Sequence, residues 1–128
     1  MADVPPEVEE LLTSEPLTAF LATSTDDRPH VAPVWYDYRG GRIELLTTGR
    51  KLANIRENPR VALSVQKVRG GDPEWMVTLR GTATVVDDEE ATLAATRRIN
   101  RKYGASEDAW SGNRLVHVDV GSASYRTY

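Results

Sequence analysis

The spacing of hydrophobic and polar positions changes several times along the chain, and each change predicts an element. Val8, Leu11 and Leu12 recur at i, i+3 and i+4 behind Pro5-Pro6, which predicts a short proline-opened helix that Pro16 closes. Met1 to Val4, ahead of it, are expected to be loose. Leu17 to Thr25 is largely apolar and reads as a buried strand. A polar turn, Asp26-Asp27-Arg28-Pro29, leads to a second strand from His30 to Tyr38, and Arg39-Gly40-Gly41 turns into a third, Arg42 to Thr47. Together these predict an antiparallel meander. Pro33 has no N–H for a ladder, so it is expected at an edge, a bulge or a point of close approach.

Leu52 and Ile55 give the next segment one apolar helical edge; Thr48 is its expected N-cap and Asn58-Pro59 its stop. From Arg60 to Lys67 the period is two, with Val61, Leu63 and Val65 on one face. Val68 to Pro73 reads as a loop. Trp75 to Val86 is the longest strand: Trp75, Val77, Leu79, Ala83 and Val85 share one face, Met76, Thr78, Arg80, Thr82 and Thr84 the other. Gly81 within it marks a bend or bulge of the kind that closes a small barrel. Asp87 is the expected N-cap of a second long helix, with Glu90 as its capping-box partner, a seam of Ala91, Ala95, Ile99 and Tyr103, and Gly104 as C-cap. A polar loop from Ala105 to Asn113 carries Trp110, and Leu115 to Val120 and Ala123 to Tyr128 read as closing strands. The whole predicts a mainly β chain: a six- to seven-stranded antiparallel barrel with peripheral helices.

Composition narrows the function. At 128 residues without a composition break, residues 1–128 are expected to form one domain with a real core. A net charge of −3 does not suggest a nucleic-acid surface. The absence of cysteine removes disulfides, thiolate catalysis and cysteine-ligated metals. No apolar run approaches membrane-spanning length and no signal peptide opens the chain, so a cytoplasmic location is expected.

One charge pattern breaks a rule. Arg50 and Lys51 open a helix at its positive end, where cations are disfavoured. In the second long helix the charges obey the rule, with Glu89 and Glu90 at the start and Arg97, Arg98, Arg101 and Lys102 toward the end. An anion would resolve the conflict, since free amides, helix dipole and two cations would converge on one phosphate beside the hydroxyls of Thr47 and Thr48. The alternative is that both side chains turn into solvent. Other candidates are weaker. His30 and His117, with Asp37 or Asp119, lack metal-ligand spacing and read as strand histidines making one hydrogen bond. Arg39-Gly40-Gly41 and Arg69-Gly70-Gly71 lead into no helix and read as turns. Trp75 reads as core, Trp35 as a ring neighbour and Trp110 as a lid or interface residue; a surface salt bridge is the default for Arg80.

The run HVAPVWYDYRGGRIELLTTGRKLANIRENPRVALSV followed by WMVTLRGTATVVDD resembles the pyridoxamine 5′-phosphate oxidase-like split-barrel family of flavin-binding proteins. The resemblance implies that Arg50 and Lys51 hold the phosphate of FMN, or of the deazaflavin coenzyme F-420. It places Pro33, Val34 and Trp35 along the isoalloxazine ring and Leu46, Thr47 and Thr48 beside the ring and ribityl chain. Met76 and Thr78 would reach the cofactor from the facing subunit of a homodimer whose clefts lie at the interface. Met76 stands where the oxidase proper carries a glutamine. The oxidase also ends in an Arg-x-His segment, whereas this chain ends Ser124-Tyr125-Arg126-Thr127-Tyr128, so oxidation of pyridoxamine 5′-phosphate is not implied. Two readings follow: an oxidoreductase in which the cofactor transfers hydride to a small substrate with no catalytic protein residue, or a carrier or sensor holding flavin or haem without turnover.

Overall fold

In the computed structural model, which describes residues 4–128, the chain runs α1 (Pro6–Thr13), β1 (Ala19–Thr25), β2 (Arg28–Val34), β3 (Tyr36–Arg39), β4 (Arg42–Thr47), α2 (Gly49–Glu57), β5 (Arg60–Arg69), β6 (Asp72–Val86), α3 (Glu89–Lys102) and β7 (Arg114–Thr127). The expectation of a loose start falls mostly on residues 1–3, outside the described residues; Val4 packs against the core. All seven strands form one antiparallel sheet in the order β2-β1-β5-β6-β7-β4-β3. The two outermost strands are consecutive in the chain, separated only by Trp35. Val34 pairs with Ala19 at one end of the sheet, and Tyr36 pairs with Leu45 at the other. The sheet therefore curls until its ends meet without bonding to each other, the mainly β split barrel that the strand pattern predicts.

That split corrects the expected meander. The segment His30 to Tyr38 is two strands, because its halves bond to opposite ends of the sheet. Pro33 does lie on an edge strand. The expected loop from Val68 to Pro73 contracts to Gly70-Gly71. Three pairs, Asp26-Asp27, Gly40-Gly41 and Gly70-Gly71, have positive φ at both residues and connect their strands as two-residue turns, matching the strand twist. The two closing strands are one, β7, with a register shift where Arg80 faces Ser122 and Gly81 faces Val120. Gly81 is the close approach: a Cβ there would press on the Asp119 carbonyl oxygen and come within 2.9 Å of Val118 Cγ1.

The barrel interior holds Leu21, Tyr36, Ile43, Leu45, Leu63, Val77, Leu79, Val116 and Val118, with Val8 and Leu12 of α1 and Ile55 of α2 added from outside the sheet. Trp75 is core, as expected. Tyr36 Oη donates to the Leu12 carbonyl at 2.7 Å and Tyr38 Oη to Glu9 Oε2 at 2.6 Å, which locks α1 to β3. Ala95, Ile99 and Leu115 are buried apart from the main cluster, where α3 lies against β4 and β7. The N-cap of α3 is Asp88 rather than Asp87: its carboxylate accepts from Ala91 N at 3.1 Å. Asp87 pairs instead with Arg56 at 3.2 Å, and that guanidinium holds its carboxyl below the ordinary range. Glu90 thereby loses its capping-box place. Tyr103 is the C-cap of α3, and Gly104 follows it with φ +74°.

Candidate functional site

The split opens onto a cleft of about 380 Å³ lined by Pro33, Val34 and Trp35, by Leu46, Thr47, Thr48 and Lys51, and by Thr18, Ile99, Asn100, Trp110 and Asn113. The end of β2 and the end of β4 face each other here because each lies beside the barrel's open seam. Seven of the ten residues expected to contact a cofactor thus share one cleft. Arg50 is exposed on α2 beside it and does not line it. Met76 and Thr78 lie elsewhere, on the outward face of β6, opposite Gln66 and Ser64 of β5 and Arg126 and Ser124 of β7. Trp110, read from the sequence as a lid or interface residue, lines the cleft as well; Thr18, Ile99, Asn100 and Asn113 were not expected there. They come from just ahead of β1, from α3 and from the loop after it, and a polar position one place off the α3 seam gives no local signal.

The start of α2 reaches the cleft with its donors unused. Thr48 occupies the N-cap position in extended conformation, but contrary to expectation its hydroxyl makes no cap bond. No acidic residue stands in the first turn. Among the described residues neither Arg50 nor Lys51 pairs with a carboxylate. The preceding Thr47 is 2% exposed, and its Oγ1 has no hydrogen-bond partner. Such a hydroxyl costs desolvation energy unless something fills it. The helix cannot rotate away to relieve this. Asn54, 4% exposed, donates from Nδ2 to Thr23 Oγ1 and accepts from Thr25 Oγ1, both at 3.0 Å, pinning α2 to β1.

The opposite wall is aromatic. Trp35 stacks on Tyr103, with centroids 4.7 Å apart and planes 6° from parallel. Trp110 meets Trp35 edge-on at 6.2 Å. Tyr103 Oη donates to the Leu17 carbonyl at 2.6 Å and accepts from Tyr36 N at 3.1 Å, so one hydroxyl bridges the two sides of the seam. Burial pushes that phenol up to about 12. Lys102 donates to the Tyr36 carbonyl at 2.8 Å and sits 4.2 Å above the Tyr36 ring; burial lowers its ammonium below the ordinary range.

The remaining candidates separate. His117 bonds Glu44 Oε2 at 3.1 Å, inside a network in which Arg98 reaches Asp37 at 3.0 Å and Glu44 at 2.7 Å. These contacts clamp α3 onto β3 and β4. His30 lies on β2, and its Nδ1 is buried without a partner. Among the described residues no group of three potential ligands gathers for a metal, and no helix is long and apolar enough to cross a membrane.

Comparison with known proteins identifies the family and the fold. Residues 4–124 match the sequence model of a family described as pyridoxamine 5′-phosphate oxidase. No curated protein matches. A solved F420 reductase is 28% identical, with a TM-score of 0.74, over 90% of this chain and 94% of that one. A FAD-binding protein from Mesorhizobium loti is 20% identical, with a TM-score of 0.79, over 98% and 96%. HutZ, a heme storage protein from Vibrio cholerae, is 17% identical, with a TM-score of 0.76, over 98% and 95%. The last two likenesses speak to the fold alone.

Proposed function

This chain belongs to the pyridoxamine 5′-phosphate oxidase family, and from that premise we propose that residues 1–128 are a single flavin-binding domain. It holds FMN, or the deazaflavin coenzyme of the F420 type, in the cleft between Trp35 and α2 and acts as an oxidoreductase on a small molecule. The observation that carries this reading is the buried, unpartnered Thr47 hydroxyl beside the uncapped start of α2. Orphan donors, a helix dipole and an adjacent Lys51 suit a phosphate with a polyhydroxyl chain attached. The Trp35 wall suits a flat ring.

The bound cofactor would accept or deliver hydride. The chain's own residues would bind and orient it. Lys51 and Arg50 would neutralise the phosphate, Thr47 and Thr48 would bond to polar groups next to it, and Pro33 to Trp35 and Leu46 would keep water from the ring. No protein acid or base is required for that chemistry. The lining has no imidazole or thiolate to ligate a haem iron, which favours flavin over the haem carrier. Oxidation of pyridoxamine 5′-phosphate is not part of this reading. The end of β7 has no histidine, and its Arg126 lies over the Tyr128 ring, 5.4 Å from the centroid.

A second copy of the chain fits the same reading. Pro33 of the cleft pairs with Phe20, Phe20 with Ser64, and Ser64 with Thr78, so one outward row of the sheet runs from the cleft to β6. Phe20 is 47% exposed on it, and Val31 on the same face 65%. A partner covering this face would bury both and bring its own Met76 and Thr78 toward the neighbouring cleft. The test of the whole reading is the visible spectrum of the purified protein, followed by reconstitution. Twin flavin bands or a single deazaflavin band, bleached by NAD(P)H or regained by turnover, is the expected result. Protein that binds neither cofactor on reconstitution would overturn it.

A further inference from the structure

A single buried side chain organises the loop between α3 and β7. Asn100 is 1% exposed. Its side-chain Nδ2 donates to the carbonyls of Glu107 at 3.1 Å and Ala109 at 2.8 Å, while the backbone carbonyl of the same residue accepts from Ala105 N at 2.8 Å. The side chain thus ties residues 107 and 109 to one point on α3, where the backbone already holds residue 105. The next residue is Trp110, whose φ of +60° lies in the left-handed region that bulky side chains rarely adopt. Core packing does not offset that conformation, because Trp110 is 63% exposed. The indole is nevertheless placed in the cleft wall, at 90° to Trp35. Tyr103 already covers one face of Trp35, so the two tryptophans form a right-angled corner. A flat ring laid against either indole meets the other along its edge, and both arrangements are favourable for aromatic pairs.

We propose that Trp110 packs on the ring of the bound cofactor and that Asn100 is the positioning residue that sets it there. This rests on the flavin reading above and adds two residues to it that neither the helix start nor the strand ends suggest. Ligand binding would bury the indole and supply the contact area that its backbone conformation lacks in the free protein.

The experiment is a titration with FMN, repeated with the deazaflavin coenzyme, of the wild type, Trp110→Ala, Trp110→Phe, Asn100→Ala and the double Ala variant. Trp110→Ala should weaken binding roughly three- to tenfold, the range of one aromatic pair, while Trp110→Phe stays within about twofold of wild type. Asn100→Ala should lose a similar factor, and the double variant should lose no more than the worse single, since the two residues act as one unit. Should Asn100→Ala not fold, Asn100→Leu keeps the volume and removes the donor. Deuterium uptake across residues 105–113 should rise in either Asn100 variant. Binding by Trp110→Ala equal to wild type, or additive losses in the double variant, would overturn this proposal alone. A wild type that binds neither cofactor would overturn the flavin reading and this proposal with it.

Discussion

The Tyr103 side chain supports Trp35 with its ring, at a centroid distance of 4.7 Å, and spans the barrel seam with its hydroxyl, bonding Leu17 O and Tyr36 N. The wall of the cleft and the closure of the barrel therefore depend on one residue at the end of α3. Tyr103→Phe keeps the stack and leaves the Tyr36 N–H and the Leu17 carbonyl without that partner. It should lower unfolding free energy by about 1–3 kcal/mol, read from the urea midpoint at unchanged slope.

Alkaline pH should act at the same place. Burial raises Tyr103 to about 12; burial and the Glu9 hydrogen bond raise Tyr38 to about 12, and Tyr36 is raised as well. Each folded phenol holds its proton beyond the ordinary value of 10.0. Their contribution to stability is therefore complete below pH 10 and lost as pH rises toward 12. Tyrosinate absorbance and loss of circular dichroism should rise together across that window; separate transitions would contradict it.

Lys51→Ala should reduce FMN or deazaflavin affinity roughly ten- to a hundredfold, the worth of about 1.5–3 kcal/mol for a charged hydrogen bond. Arg50→Ala should cost less, because Arg50 is exposed and does not line the cleft. Thermal midpoints without cofactor should barely change. Unchanged affinity in both variants would remove the phosphate from this helix.

Thr47→Val should have opposite effects on stability and on binding. In the free protein it removes a buried hydroxyl without a partner, which should stabilise by up to about 1 kcal/mol. In the proposed bound form it would remove a hydrogen bond to the ligand and so should weaken cofactor affinity by roughly three- to tenfold. A calorimetric scan with and without cofactor reads both. A loss of stability in the free protein would mean that the hydroxyl already has a partner.

Thr78→Glu places a charge on the outward row that includes Phe20 and Ser64. If that face covers a second copy, sedimentation should show a wild-type dimer weakened in the variant, with cofactor occupancy falling in parallel. A wild-type monomer that binds cofactor tightly would refute the assembly.

The candidate cleft was legible in part, where one stretch carries its own signal. The cations at the start of α2 stand out because a helix dipole opposes them, and the period-two run from Trp75 marks β6 without any tertiary information. Trp110 stood out as a lid or interface residue, but Asn100 was not legible in the same way. An asparagine one place off an apolar seam looks like a solvated position, and only the folded loop shows the two carbonyls it serves.

Local pattern by itself determined most of the element types, the apolar faces of β5 and β6, the stop at Asn58-Pro59 and the glycine turns, because periodicity and backbone sterics act over a few residues. Tertiary structure decided the rest. Whether His30 to Tyr38 is one strand or two depends on which partners its halves find, and these lie at opposite ends of the sheet. The same closure carries Trp35 to the seam, brings Thr47 and Tyr103 to the same opening and gives Asp88 rather than Asp87 the helix cap, since Arg56 draws Asp87 away. Pairings between distant residues are set by the shape the whole sheet adopts when it curls, and no window of neighbouring residues contains that shape.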